Sequence, residues 1–243
     1  MYEDFSYIYD KLSFDLEYDK YAANILTLAD RYDIKRDDML ELAAGSGMLT
    51  RYFFNQFKNI DALDISPDML NVFANNYDPD NVNLIYYDMV AFENENSYDL
   101  IVILLDSVNY VTDPAECIKL FANCYKNLKP GGLLVFDINS EYKMREVFGS
   151  NCFVYEYEDI FYSWDNFMED ELIDMHLNFF IEGEDGKYER IYEYQQERVY
   201  ERDFVIDNVA KAGFTDIQMY DLDDLGEVKS DTIRILFSAI KEK

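Results

Sequence analysis

The sequence predicts an α/β fold: a doubly wound, largely parallel sheet with a small antiparallel addition late in the chain. Three observations carry this prediction. Short apolar runs alternate with helix-patterned stretches from about residue 38 to 139. The first apolar run ends in a glycine-bearing loop, Ala43-Ala44-Gly45-Ser46-Gly47. After Ser140 the pattern changes to alternating aromatic, β-branched and charged residues. Repeated strand–helix units imply parallel pairing, because the helices cover both faces of the sheet.

The elements follow in order. Met39 to Ala44 reads as the first strand, and Thr50 to Phe57 as the helix after the glycine loop. Ile60 to Ile65 is a second strand. Ser66-Pro67-Asp68 opens a helix, with Ser66 as N-cap and Pro67 at the first helical position. Val82 to Tyr87 is a third strand. Leu100 to Leu105 is continuously apolar, as a central strand covered on both faces must be. Asp113-Pro114 opens another helix, whose apolar stripe is Ile118, Phe121, Ala122, Tyr125 and Leu128. Pro130-Gly131-Gly132 reads as a turn before a fifth strand, Leu133 to Ile138. Gly183 to Gly186 reads as a hairpin turn within an antiparallel insertion spanning about 152 to 200. The chain closes with a helix (Asp203 to Ala212, with Gly213 past its end) and two strands, Ile217 to Tyr220 and Thr232 to Ile240.

Composition narrows the function. The chain has 243 residues, 49% of them hydrophobic, enough for one sizeable core. Its net charge is −29, which repels polyphosphate and argues against nucleic-acid or anionic-membrane partners. Cys117, Cys124 and Cys152 form no CxxC pair and there is one histidine, so a metal site is not expected and the thiols read as reduced. The N-terminus lacks the basic and apolar pattern of a signal peptide. No run approaches the roughly 20 apolar residues that span a bilayer, and a cytoplasmic location is expected.

The chemistry concentrates at strand ends. Glycine in the first loop lets the backbone approach a ligand, and ligands of open α/β sheets sit beyond the carboxyl ends of strands. Asp64, roughly 20 residues beyond the loop, stands where a carboxylate accepts from ribose hydroxyls. A nicotinamide site would need a third glycine. The GxGxxG register from Gly45 places Thr50 there, and the register from Ala43 places Met48 there. Four acids, Glu41, Asp64, Asp88 and Asp106, lie at or near the ends of consecutive strands. Such a rim suits hydroxyls, amines and a sulfonium cation, and it does not suit phosphates.

Here the sequence resembles the class I S-adenosylmethionine-dependent methyltransferases over nearly the whole chain. ELAAGSG is similar to the family's first motif, with Ala43 where a glycine is usual. DALDISPDML, YYDMVAF, SYDLIVILLDSVNYV and LKPGGLLVFDIN resemble the motifs that follow. The resemblance implies a Rossmann-like, seven-stranded doubly wound sheet that binds S-adenosyl-L-methionine, with a small antiparallel β lid inserted after strand five. It implies cofactor contacts from Glu41, Ala43, Gly45, Gly47, Asp64, Ile65, Met69, Asp88, Met89, Leu105 and Asp106. The opening FSYIYDKL, the segment DSVNY and the β-rich insertion are similar to a bacterial subgroup related to glycine and aminosugar N-methyltransferases. In that subgroup an N-terminal helix folds over the cofactor, which points to Tyr9 and Tyr18, with Tyr21 as a further candidate.

Methyl transfer from a sulfonium needs proximity and dryness more than acid–base help. A hydroxyl acceptor, unlike an amine, needs a base. His176 in the insertion is a candidate if it faces the sheet. Asp106, Asn109 and Tyr110 follow strand four, near where the methyl is transferred in the family, and Arg198 and Tyr200 could meet an anionic group on the substrate. The expected organisation is a methyltransferase core over 1–140 and 201–243, with a substrate lid over 141–200. The expected function is methylation of N or O on a small molecule by a monomer or homodimer. The alternatives are a non-catalytic cofactor-binding protein or a nucleotide-cofactor oxidoreductase.

Overall fold

The structure, a computed structural model, describes residues 11–12, 16–183 and 185–243. Seven strands form the main sheet in the order β10-β11-β5-β4-β1-β2-β3. They are β1 (Asp38–Leu42), β2 (Asn59–Asp64), β3 (Val82–Tyr86), β4 (Tyr98–Ile103), β5 (Leu128–Asn139), β10 (Thr215–Asp221) and β11 (Arg234–Ile240). The five strands from β5 to β3 pair in parallel, and β11 runs antiparallel between β5 and β10.

Alternation divides the core between the two faces of this sheet. Leu40, Leu42, Ile101, Ile103, Leu134 and Phe136 pack against α3 (Pro114–Asn127) and α4 (Arg202–Ala212). Met39, Leu100, Val102, Leu133 and Val135 pack on the opposite face against α1 (Tyr18–Arg31), whose Ile25 and Leu28 are fully buried. Every residue of β4 is buried, as its unbroken apolar run predicts. Ser66 and Asp113 cap α2 (Pro67–Asn76) and α3. Each side chain accepts a bond from a backbone N–H of the first turn, from Met69 and Ala115 respectively. No helix among the described residues is long and apolar enough to cross a membrane. Cys117 and Cys124 are buried, whereas Cys152 is exposed.

Two local expectations give way. The helix expected over Thr50–Phe57 shrinks to a 3₁₀ turn, Thr50–Tyr52, followed by irregular turns. A short segment carrying Tyr52, Phe53, Phe54 and Phe57 gains little from helix formation, and Phe53 and Phe57 are instead buried in the core. Pro130-Gly131-Gly132 does not separate β5 from α3 as a turn but lies within β5. The backbone stays in the sheet because Gly131 N–H donates to Lys241 O (2.7 Å) and Lys241 N–H to Gly132 O (3.0 Å). The irregularity is taken up in the pairing with β4, where the register shifts between Tyr98 and Leu100.

The insertion is a separate antiparallel meander of β6 (Cys152–Tyr157), β7 (Ile160–Glu169), β8 (Leu172–Glu182) and β9 (Tyr188–Arg198). One face buries Ile160, Ile173, Met175, Leu177 and Phe179 against Met144 and Phe148 of a π-helical turn, Lys143–Phe148. β9 is an edge strand.

Buried polar groups join the two sheets. Asn109 carbonyl accepts from Arg198 N–H (2.8 Å), its Nδ2 donates to Arg198 O (2.9 Å), and its Oδ1 accepts from Asn139 N–H (2.9 Å). Arg198 Nε donates to Thr112 O (2.5 Å), and Tyr200 Oη donates to Val111 O. Asn139 Nδ2 donates to Asp106 Oδ2 (2.7 Å) in the loop after β4 and to Glu197 Oε2 (2.9 Å) on β9, while Lys143 Nζ donates to Asn139 Oδ1 (2.8 Å). At the centre Arg234 pairs with Asp137 (2.8 Å) and Asp106 (3.2 Å). Burial opposes charge on Arg234, but the two carboxylates outweigh it and raise its pKa. Removing one partner of such a cluster leaves bare buried charge. Arg234→Met is therefore expected to destabilise by about 3–5 kcal/mol in urea denaturation, with Arg234→Lys recovering only part of the loss. A loss below about 1 kcal/mol would contradict this account of the cluster.

Candidate functional site

A cavity of about 660 Å³ opens where β1, β2 and β4 end, within the range of small-molecule sites. Its architecture begins with Asp64, the last residue of β2. Its carboxylate accepts from Gly45 N–H (2.8 Å) and Ser66 N–H (2.8 Å), tying together the loops after β1 and β2. Burial raises its pKa, and these backbone donors partly offset the rise. Ala43, Gly45 and Gly47 all have positive φ, at 57°, 56° and 82°. At Gly45 a side chain would meet nothing within 4 Å, so the bare backbone faces open cavity. At Gly47 a Cβ would lie 2.8 Å from the Phe73 ring. Gly47 does not line the cavity. It lets α2 pack closely beneath the loop.

Glu41, on β1, is 3% exposed, and its Oε2 has no hydrogen-bond partner among the described residues. Burial pushes its carboxyl up to about 8, although the Thr50 hydroxyl favours the charged form. Asp88 accepts from Val90 N–H (2.8 Å) in the loop after β3. After β4 the successive residues Leu105 and Asp106 both adopt positive φ (59° and 56°), a costly conformation held by the Arg234 and Asn139 contacts to Asp106.

Most of the expected cofactor residues meet here. Tyr18, Glu41, Ala43, Gly45, Asp64, Ile65, Met69, Asp88, Met89, Leu105 and Asp106 all line the cavity, as does Tyr110. Tyr9 lies outside the described residues. Tyr21 is buried and does not line the cavity.

The remaining candidates lie elsewhere. His176 alternates with the inward-facing Met175 and Leu177 and so stands on the other face of the lid sheet. There its Nδ1 lies 2.6 Å from Tyr192 Oη and it does not line the cavity. Asn109, Arg198 and Tyr200 are committed to the junction between the sheets and do not line it either.

Residues the sequence reasoning missed come from the edge of the lid. Glu193, Tyr194, Gln195 and Gln196 form part of the wall, and Tyr110 Oη donates to Gln195 Oε1 (2.8 Å). Strand alternation marks these residues as two-sided but does not say which edge of the insertion meets the main sheet. The wall holds the four rim acids together with Asp113, Glu116 and Glu193, and no Lys, Arg or His among the described residues. Such a surface favours cations and polar hydrogen donors and repels phosphate.

Comparisons with known proteins show the family and the fold. Residues 39–132 match the family described as Methyltransferase domain. The chain is 31% identical, over 99% of both lengths, to a Geobacillus sp. (strain WCH70) protein that bears the name of a methyltransferase. The crystal structure of an S-adenosylmethionine-dependent methyltransferase from Clostridium acetobutylicum superposes with a TM-score of 0.90 at 33% identity, covering 100% of this chain and 99% of that one. A sugar N-methyltransferase of Streptoalloteichus shares the fold, with a TM-score of 0.82 at 16% identity over 98% and 93% of the two chains.

The Glu41 geometry has a pH consequence. Its carboxyl holds a proton up to about 8 in the folded protein against an ordinary 4.5, so folding takes up a proton between these values. Its stabilising contribution is full below the lower value and is lost as pH rises through the upper one. Glu41→Gln, neutral throughout, is expected to melt close to the native protein at about pH 5 and several degrees above it at about pH 9. A difference that does not change with pH would contradict the burial account.

Proposed function

This chain belongs to the class I S-adenosylmethionine-dependent methyltransferases and transfers a methyl group to a small molecule, and we propose that the acceptor atom is an amine nitrogen. The observation that carries this reading is the cavity wall, with seven acidic side chains and no cationic one among its described residues. An anionic acceptor would be repelled there, whereas an ammonium would be drawn in.

S-adenosylmethionine, when bound, supplies a methyl already activated on sulfur. The residues present fit it. Asp64 would hold a ribose-type diol, Asp88 and Met89 would flank the base, and the orphan Oε2 of Glu41 would receive the amino group. Tyr18 closes this end. Gly45 and the loop after β4 shape the floor, with Asp106 and Tyr110 toward the acceptor. A neutral amine needs little base help, which accords with His176 lying away from the cavity. Residues 141–200 act as a lid over a core of 1–140 and 201–243, keeping the site dry. We place it in the cytoplasm as a monomer or homodimer, and a net charge of −29 accords with the lack of nucleic-acid or anionic-membrane partners.

The test is turnover on paired amines and alcohols of matched skeleton, read by mass spectrometry with S-adenosylmethionine as donor. Amines are expected to gain one methyl and their alcohols none. Methylation confined to alcohols would overturn the assignment to nitrogen.

A further inference from the structure

The strand of the lid that meets the cavity does so edge-on. Four consecutive residues of β9, Glu193 to Gln196, line the cavity, whereas one face of a strand presents only every second residue. β9 stands at one end of the four-stranded sheet and pairs with β8 in an unbroken antiparallel register. In such a ladder alternate residues turn both main-chain groups toward the neighbouring strand, and the residues between them turn theirs away. Two bonds fix which are which. Gly183 N–H donates to Lys187 O (2.8 Å) at one end of the ladder, and Val199 N–H donates to Glu171 O (2.8 Å) at the other. The odd-numbered residues of β9 therefore face β8, and the even-numbered residues direct N–H and C=O outward.

Arg198 shows what the outward side meets. Its N–H and C=O pair with the carbonyl and Nδ2 of Asn109, which takes the place of a residue on a further strand. Gln196 and Tyr194 are the next two outward residues, roughly 7 Å apart. Both line the cavity. Their side chains are drawn to Asp174 of β8, at 2.7 and 2.6 Å, on the sheet face opposite the buried Ile173 and Met175. What these two residues turn to the cavity is therefore main chain, a donor and an acceptor each at β-sheet spacing.

We propose that the amine acceptor is a short peptide that lies along β9 as a further strand and carries its N-terminal α-amine to the transferred methyl. The inference rests on the amine reading above and names the class of amine. An extended peptide residue has its own N–H and C=O on one side, which complements Gln196 or Tyr194. Pairing of this kind is how sheet edges take peptides. The residue that pairs has both groups in amides and follows the one that bears the amine, so the acceptor has at least two residues. The acidic wall sets the remaining condition. It attracts the α-ammonium on arrival and repels a free carboxylate, so the acceptor's second residue ends in an amide or continues into a longer chain.

The probe is L-alanyl-L-alaninamide, measured by calorimetry on protein saturated with the demethylated cofactor. Its counterparts are the ester analogue, with oxygen in place of the central N–H, and n-butylammonium, an amine without an amide. Native protein is expected to bind the dipeptide amide, the ester about fivefold more weakly or worse, and n-butylammonium more weakly still. On the protein side, proline removes an outward N–H and leaves the ladder to β8 intact. Tyr194→Pro and Gln196→Pro are each compared with the alanine variant at the same position. At least one proline variant is expected to bind the dipeptide amide about fivefold more weakly than its alanine counterpart. Binding of the demethylated cofactor shows which variants are folded, and the ester comparison decides without them. The inference is overturned if native protein fails to bind the dipeptide amide, if the ester binds equally well, or if folded proline and alanine variants bind alike at both positions. The amine reading fails separately: turnover of other amines with none of the dipeptide amide removes only the peptide class, whereas turnover of alcohols alone removes both.

Discussion

The Arg234 guanidinium, held between Asp137 and Asp106, is the interaction on which the rest of the site depends. Asp137 is wholly buried on β5, where an unpaired carboxylate would be far too costly to keep charged. Arg234, at the start of the neighbouring β11, makes that burial tolerable, and with its other nitrogen it fixes Asp106. Asp106 thereby holds the loop after β4 in two successive left-handed residues, and that loop is a wall of the cavity. Asn139 carries the connection onward to Glu197 on the lid. Burial pushes the Glu197 carboxyl up to about 8 and, with Arg234 nearby, brings the Lys143 amine down to about 8. The main sheet, the cavity wall and the four-stranded sheet are thus fastened at a single polar knot, which a merely hydrophobic contact would not orient as strictly.

Much of this was legible in the sequence, and what was legible was local. The apolar run of β4, the Ser66 and Asp113 caps, and the spacing from Gly45 to Asp64 each depend on a few neighbouring residues, and each carried through. The long-range pairings were not legible. Arg234 and Asp137 stand 97 residues apart, and nothing in either neighbourhood marks them as partners. The same limit explains Asn109, Arg198 and Tyr200. They are polar residues next to a site and look like ligand contacts, until the fold uses their hydrogen bonds to join two sheets. His176 shows the limit of period-two alternation. The pattern predicts that one face of β8 is buried, but not which face turns toward the cofactor. Thr50 to Phe57 failed for a different reason, because core burial of its aromatics outweighed a weak helical pattern.

Within this frame the site is a division of labour among acids. Asp64, Asp88 and Asp106, at the ends of the main-sheet strands, are engaged by loop amides, Arg234 and Asn139. Ala43 adds a further constraint, since it holds a left-handed conformation at φ 57° that glycine adopts without penalty, so the loop keeps its shape at a cost of about 1 kcal/mol. A cavity closed by such a loop on one side and by an edge strand on the other can exclude water, which methyl transfer from a sulfonium requires more than it requires a strong base.

The most direct test of the account is calorimetric titration of S-adenosylmethionine into the native protein and into Asp64→Asn. Measurable one-to-one binding by the native protein, weakened about tenfold or more in the variant, is the predicted result. Absence of binding by the native protein, or unchanged affinity in the variant, would contradict it.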